Sequence, residues 1–211
     1  MVIERQLRAR NGNDPGIVYC YSAYIRWDFA MLINLNGWPG VGKLTTGREL
    51  KELIGGKLLD NHTILNVGSA LAEGGTLEYY QLVRSVRSVA FAAIMKMPST
   101  LPIIFTNVVA RGGTSGFLEE NWHAIIDLAK ARRCPLFSVT LTCTPVENAH
   151  RIVSAERGSL GKIQTLEVLE TLVAERVLFD DGATYRRTID NTHLSPAETA
   201  RHIRGWISSV K

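Results

Sequence analysis

Lys43 closes a run of glycines, Gly37-Trp38-Pro39-Gly40-Val41-Gly42-Lys43-Leu44-Thr45, that follows an apolar stretch from Phe29 to Leu35 and precedes a helical one. Glycines at this spacing let successive backbone N–H groups converge on phosphate oxygens. The lysine neutralises the terminal phosphates, and the following helix aims its N-terminus at them. Gly37, Gly40, Gly42 and Lys43 suit this chemistry, with Val41 between them in the loop. The last position departs from the pattern: Leu44 stands where a magnesium-ligating hydroxyl is expected, and Thr45 follows one residue later.

Leu58-Leu59-Asp60-Asn61-His62 is a second candidate, an apolar strand ending in polar groups where ligands bind at the carboxyl edge of a parallel sheet. The neutral imidazole of His62 can accept a proton near pH 7. The plainer reading is that Asp60 and His62 only begin the next helix. Arg151, Arg157 and Lys162 form a third group, with Gly158 and Gly161 as candidate hinges. Arg151 also lies one helical turn after Glu147, where it can form an ordinary ion pair. Arg84 and Arg87 are three apart on a long helix, either facing an anionic ligand or on a solvated face. Ile103 to Asn107 ends in Thr106-Asn107 without an acid, and Asp190 closes the final strand. The histidines lack metal-site spacing, and Ser115 lacks the context of a hydrolase nucleophile.

The elements that would carry these groups alternate between short apolar runs and helical segments, the pattern of a parallel sheet with helices on both faces. Strands are expected at 30–36, 56–60, 102–108, 135–142 and 185–190, with helices over 43–53 and 77–97. On the longer helix, Leu82, Val86, Val89, Ala93 and Met97 mark the expected core stripe. Thr144-Pro145-Val146-Glu147 and Ser195-Pro196-Ala197-Glu198 both read as capping boxes with proline at the first helical position.

A length of 211 residues fits one domain, and 45% hydrophobic with 21% charged residues is ordinary for a globular protein, so disorder is not the default expectation. Residues 1–28, polar and turn-rich, are expected to be an N-terminal extension to a domain spanning 29–211. The net charge of +4 is small and dispersed, which argues against nucleic acid as a partner. Cys20, Cys134 and Cys143 are odd in number and lack metal-ligand spacing, so a disulfide framework is not expected. No apolar run reaches membrane-spanning length, and no signal-peptide pattern is evident, so the expected location is the cytoplasm.

Gly42-Lys43-Leu44-Thr45 resembles the G-K-G-T of adenylate kinase and related nucleoside monophosphate kinases, with leucine for glycine. Over residues 30–211 the chain resembles the small-molecule branch of P-loop kinases, including shikimate kinase, gluconate kinase, chloramphenicol phosphotransferase and the zeta toxins. It is closest to AAA-type or shikimate-kinase-like proteins with a G-x-P-G-V-G-K-L-T loop. The resemblance implies a five-stranded parallel sheet in the order 2-3-1-4-5 and a lid near 145–163. It implies ATP held by Gly37, Gly40, Val41, Gly42, Lys43, Leu44 and Thr45, with Asp190 near the adenine. It implies Mg2+ held largely through water by Thr45 and Asp60. Asp60 matches the first acid of the family's D-x-D, and His62 replaces the second, which orients or deprotonates the acceptor. Arg151 and Arg157 would act from the lid on the transferring group, and Arg84 and Arg87 on an anionic acceptor. The implied activity is ATP-dependent phosphoryl transfer to a hydroxyl of a small molecule, by a monomer or homodimer. A nucleotide-binding module without catalysis is the alternative, and an oligomeric ATPase a third.

Overall fold

The computed structural model describes residues 29–112, 115–153 and 165–210. The expected extension over 1–28, with Cys20, lies outside the described residues, as do Arg157, Gly158, Gly161 and Lys162.

Apolar residues fill both sides of the central strand β1 (Leu32–Asn36), every residue of which is buried. A strand with two buried faces belongs inside a parallel sheet. Its neighbours are β3 (Ile103–Thr106) and β5 (Leu136–Thr142), each parallel to it. β2 (Lys57–Asp60) completes the sheet beside β3, and β7 (Tyr185–Asp190) beside β5. Two short strands, β4 (Ala110–Arg111) and β6 (Val177–Leu178), pair antiparallel with each other outside the sheet. The expected order 2-3-1-4-5 therefore becomes β2-β3-β1-β5-β7 once these two are numbered.

Seven helices among the described residues cover the sheet: α1 (Lys43–Ile54), α2 (Asn61–Leu71), α3 (Leu77–Met95), α4 (Phe117–Arg132), α5 (Pro145–Ile152), α6 (Leu166–Glu175) and α7 (Pro196–Ser209). Alternation along β1 divides the core. Met31, Ile33 and Leu35 pack with Leu50 of α1 and with Ile203, Trp206 and Ile207 of α7. Leu32 faces the other way, into a cluster with Phe105 of β3 and Trp122, Ile125 and Leu128 of α4. No described helix is long and apolar enough to cross a membrane.

Three local expectations are corrected. On α3 the inward stripe is Val83, Arg87 and Ile94, whereas Val89, expected in the core, is 73% exposed. The helix docks through one narrow edge against α2 and α4, so its phase is set by those neighbours and not by the count of apolar residues. Thr144 caps α5 through Glu147 N, but the Glu147 carboxylate turns to Arg151, leaving half of the expected box. The complete box forms at Ser195 and Glu198 of α7. Cys134 and Cys143 are free, and burial raises both thiols above their ordinary value, which suits inert core groups.

Trp122 is fully buried, and its indole N–H donates to the Asp181 carbonyl at 2.8 Å, tying α4 to the turn before β7. Trp122→Ala is expected to lower stability by about 3–5 kcal/mol, because a large cavity opens in a close-packed layer. Urea unfolding measures this, and a loss below about 1 kcal/mol would show that the layer collapses around the site.

Candidate functional site

At the carboxyl end of β1 the chain must turn from a fully buried strand into α1. Asn36 anchors the turn: its side-chain oxygen accepts from Gly37 N at 2.8 Å and from Val109 N at 2.7 Å. Gly37, Gly40 and Gly42 then adopt φ of 139, 97 and 88°, the region that favours glycine. Space enforces the same choice. A Cβ on Gly37 would lie 2.5 Å from the Leu141 carbonyl oxygen, and one on Gly40 would collide with the Asn148 amide and Ile152. The loop is thus clamped by β5 and α5. Gly42 is the N-cap of α1, and Lys43 folds back so that Nζ donates to the carbonyls of Gly37 and Trp38 at 2.6 and 2.9 Å. Leu44 is half-buried. Of the two threonines that follow, Thr46 is 1% exposed and faces the core. Thr45 is exposed and donates to Gly42 O at 2.9 Å, so Thr45 is the hydroxyl on the loop's solvent side.

Across the sheet edge, Asp60 pairs in register with Thr106, whose buried hydroxyl donates to Asp60 Oδ1. Asp60 occupies the N-cap position of α2 without making a side-chain cap bond. The helix-start reading therefore describes its backbone and not its carboxylate. β3 lacks the acid that many such sheets carry there, and Thr106 instead orients the acid of β2. His62 stands in the first turn of α2, half-buried.

Arg151 combines both of its sequence readings. Nε donates to Glu147 at 2.7 Å, while the guanidinium also reaches Asn191 Oδ1 at 3.2 Å and the carbonyls of Asn191 and Thr192 at 3.1 and 3.3 Å. Asn191 in turn donates to Val41 O at 2.8 Å. A Cβ on Gly42 would lie 4.0 Å from Arg151 Nη1, so the cation sits beside the loop. Asp190 is exposed and accepts from Thr192 N at 2.8 Å and its hydroxyl at 2.6 Å, bonds that hold its carboxyl below the usual range. Its side chain builds the turn that delivers Asn191.

Arg84 and Arg87 do not form a solvated face. Both bind Glu120 of α4: Arg84 through Nε and Nη2 at 2.6–3.0 Å, and Arg87 at 2.6 Å. Arg87 is 8% exposed and also donates to Asn121 at 3.2 Å. Asn121 donates to Asn107 at 3.1 Å, and Asn107 to Asn34 inside β1 at 2.8 Å. A polar chain thus runs from the middle of the sheet to the surface of α3. Sequence reading missed Glu120, Asn121, Asn34 and Asn191 as partners. The only signal for Asn34 was a polar residue within an otherwise apolar strand. No cluster of three or more metal-ligating side chains occurs among the described residues.

The architecture has counterparts among solved structures. A Chloroflexus aurantiacus protein provisionally assigned as a kinase superposes with a TM-score of 0.62 at 14% identity, covering 86% of this chain and 98% of that one. Shikimate kinase from Acinetobacter baumannii, solved with shikimate, gives 0.52 at 20% identity over 88% and 96%. The fold is that of the P-loop small-molecule kinases. APS kinase from Mycobacterium tuberculosis, solved with AMPPNP and APS, gives 0.51 at 10% identity over 85% and 98%. Neither a protein-family model nor a curated protein sequence matches the chain. Within the P-loop kinase fold, the glycine loop, Asp60, His62 and Arg151 all lie at or beside the carboxyl ends of the strands.

Hydrogen bonding from Arg84, with Arg87 beside it, holds the Glu120 carboxyl at about 2 against its usual 4.5. A depressed carboxyl contributes stability fully above the unfolded value and loses it as pH falls through the folded one. The advantage of the native chain over Glu120→Gln should therefore be complete above pH 4.5 and vanish towards about pH 2. Thermal melts across that window check it, and a constant difference would show that the ion cluster contributes nothing.

Proposed function

We propose that the protein is an ATP-dependent kinase that transfers the γ-phosphoryl group to a hydroxyl of a small molecule. The observation that carries this reading is Lys43 folded over the Gly37 and Trp38 carbonyls at the N-terminus of α1. A cation there stands beside the glycine loop and the N-terminus of α1, a pairing that suits a polyphosphate. The solved APS kinase with AMPPNP supports nucleotide use on this fold.

The residues divide the work of phosphoryl transfer, which rests on positioning and charge stabilisation. Lys43 neutralises the phosphates of the donor, and the amides of Gly40 and of Gly42 to Thr45 hold them. Arg151 adds positive charge beside Gly42 and locks the Asn191 turn against the loop, the side on which Asp190 and its neighbours would flank the nucleotide base. Arg157 would join from the lid segment. The donor set of one carboxylate and one hydroxyl, Asp60 and Thr45, fits a hard cation held largely through water. Bound Mg2+ would supply charge neutralisation of the phosphates. Thr106 fixes one oxygen of Asp60, and the other would help to hold the cation through water. His62, in the first turn of α2, accepts the acceptor's proton. Arg84 and Arg87, engaged by Glu120, position α3 against α4 in this reading and do not themselves grip the acceptor. A protein doing this chemistry belongs where ATP is abundant, in the cytoplasm.

Lys43→Ala is expected to lower turnover at least about 100-fold with an unchanged circular dichroism spectrum. Unaltered turnover would remove the kinase reading. His62→Ala should slow transfer by about 10²–10⁴ while leaving nucleotide affinity as it is, measured by pairing ADP-release kinetics with calorimetry. Tight nucleotide binding without ADP release across sugars, nucleosides, nucleoside monophosphates, shikimate-like acids and aminoglycosides would favour the module without catalysis. Thr106→Val should raise the Mg2+ concentration needed for half-maximal rate by about 10–100-fold, the usual effect of losing a group that orients a ligand. An unchanged Mg2+ titration would show that Asp60 needs no such support.

A further inference from the structure

Asn148 of α5 is 7% exposed, yet its side-chain oxygen is buried without a hydrogen-bond partner. An unpaired buried carbonyl costs stability that a leucine of similar shape would not. Packing alone therefore does not account for an amide at this position.

The oxygen faces the glycine loop. A Cβ on Gly40 would lie 2.9 Å from Ile152 Cγ1 and closer still to Asn148 Oδ1, and in glycine that direction carries a Cα–H. Oδ1 rests against this C–H, a weak contact that suits an oxygen and not an N–H. Asn148 Cγ, which carries both ends of the amide, would lie 3.1 Å from the same Cβ, so Nδ2 also stands beside the loop. Nδ2 has no partner among the described residues and is not sealed from solvent. Both of its N–H groups are uncommitted.

The neighbouring groups are of the same kind. Among the described residues, the backbone N–H groups of Gly40 and Gly42 donate to no backbone carbonyl. Arg151, one turn further along α5, stands beside Gly42. The stretch from Gly40 to Gly42 thus carries uncommitted N–H groups, with the Asn148 amide and the Arg151 cation next to it. Donors gathered in this way fit an oxyanion.

We infer that Asn148 is a binding residue of the donor site, its NH2 group donating to a phosphate oxygen of the nucleotide while its oxygen keeps Gly40 in place. The inference rests on the phosphate-binding part of the kinase reading and does not require phosphoryl transfer. Removing the amide leaves the phosphates one charge-assisted hydrogen bond short, about 10–100-fold in affinity.

Calorimetry on the full chain with Mg2+ tests this, with AMPPNP and inorganic tripolyphosphate as the probes. Asn148→Leu keeps the shape and removes the donor: its Tm should be no lower than that of the native chain, and its affinity for both probes about 10–100-fold lower. Asn148→Asp, which turns a carboxylate on the phosphates, should bind at least as weakly, and it decides the matter if the leucine variant does not fold. Native affinity for both probes in a folded variant would make Asn148 a packing residue and overturns the inference. A loss with AMPPNP but not with tripolyphosphate puts the amide on the nucleoside and overturns it too, as does native protein that fails to bind tripolyphosphate. Losses as expected, without ADP release from ATP that depends on Lys43, remove the kinase reading and leave the phosphate contact standing.

Discussion

The structure depends on one backbone constraint, the passage from Asn36 to Lys43. Here a strand with no exposed face must become a helix while β5 and α5 press on the turn. The only backbone that passes has left-handed φ at Gly37, Gly40 and Gly42, which residues with a Cβ adopt only with strain. That same backbone sets Lys43 over the loop carbonyls. Packing thus demands glycine at the positions that the proposed phosphate contact would also need. Asn36, bonding to both Gly37 and Val109, carries the constraint outward to the segment after β3.

Beside this turn a chain of side-chain hydrogen bonds runs outward from the sheet. Asn34 is fully buried within an apolar layer, where an unpaired amide is costly. Asn107 pairs with it, and the chain continues through Asn121 and Arg87 to Glu120. These directed bonds make the link between sheet, α3 and α4 specific in a way that apolar contacts alone are not. On the other flank, Arg151 and Asn191 tie α5, the turn after β7 and Val41 into a second support for the loop. The loop is therefore held from both sides by side chains far from it in sequence.

Much of the fold was legible because its signals are local. Five strands announced themselves as short apolar runs, and the Ser195 box set the start of α7 as expected. The glycine loop was legible for the same reason, since pattern and conformation there coincide. Expectations failed where the deciding neighbour is remote. The stripe of α3 was placed on Val89 because periodicity counts apolar residues, whereas the docking edge contains Arg87, whose charge is cancelled by Glu120 on another helix. Thr144 and Glu147 satisfied the spacing of a box, but Arg151 competes for the carboxylate.

By itself, the sequence determined the layered α/β class, the phosphate-suited loop and the candidate groups Asp60, His62 and Arg151. These rest on spacing, backbone preference and side-chain chemistry, all properties of short stretches. Only the tertiary structure decided which of those groups are engaged and with whom. Thr106 orients Asp60, Arg84 and Arg87 belong to Glu120, and Asp190 serves the turn that carries Asn191. The physical reason is that hydrogen bonds and ion pairs are settled by proximity in space. The partners here stand far apart along the chain, and the closing of the sheet and the docking of the helices bring them together.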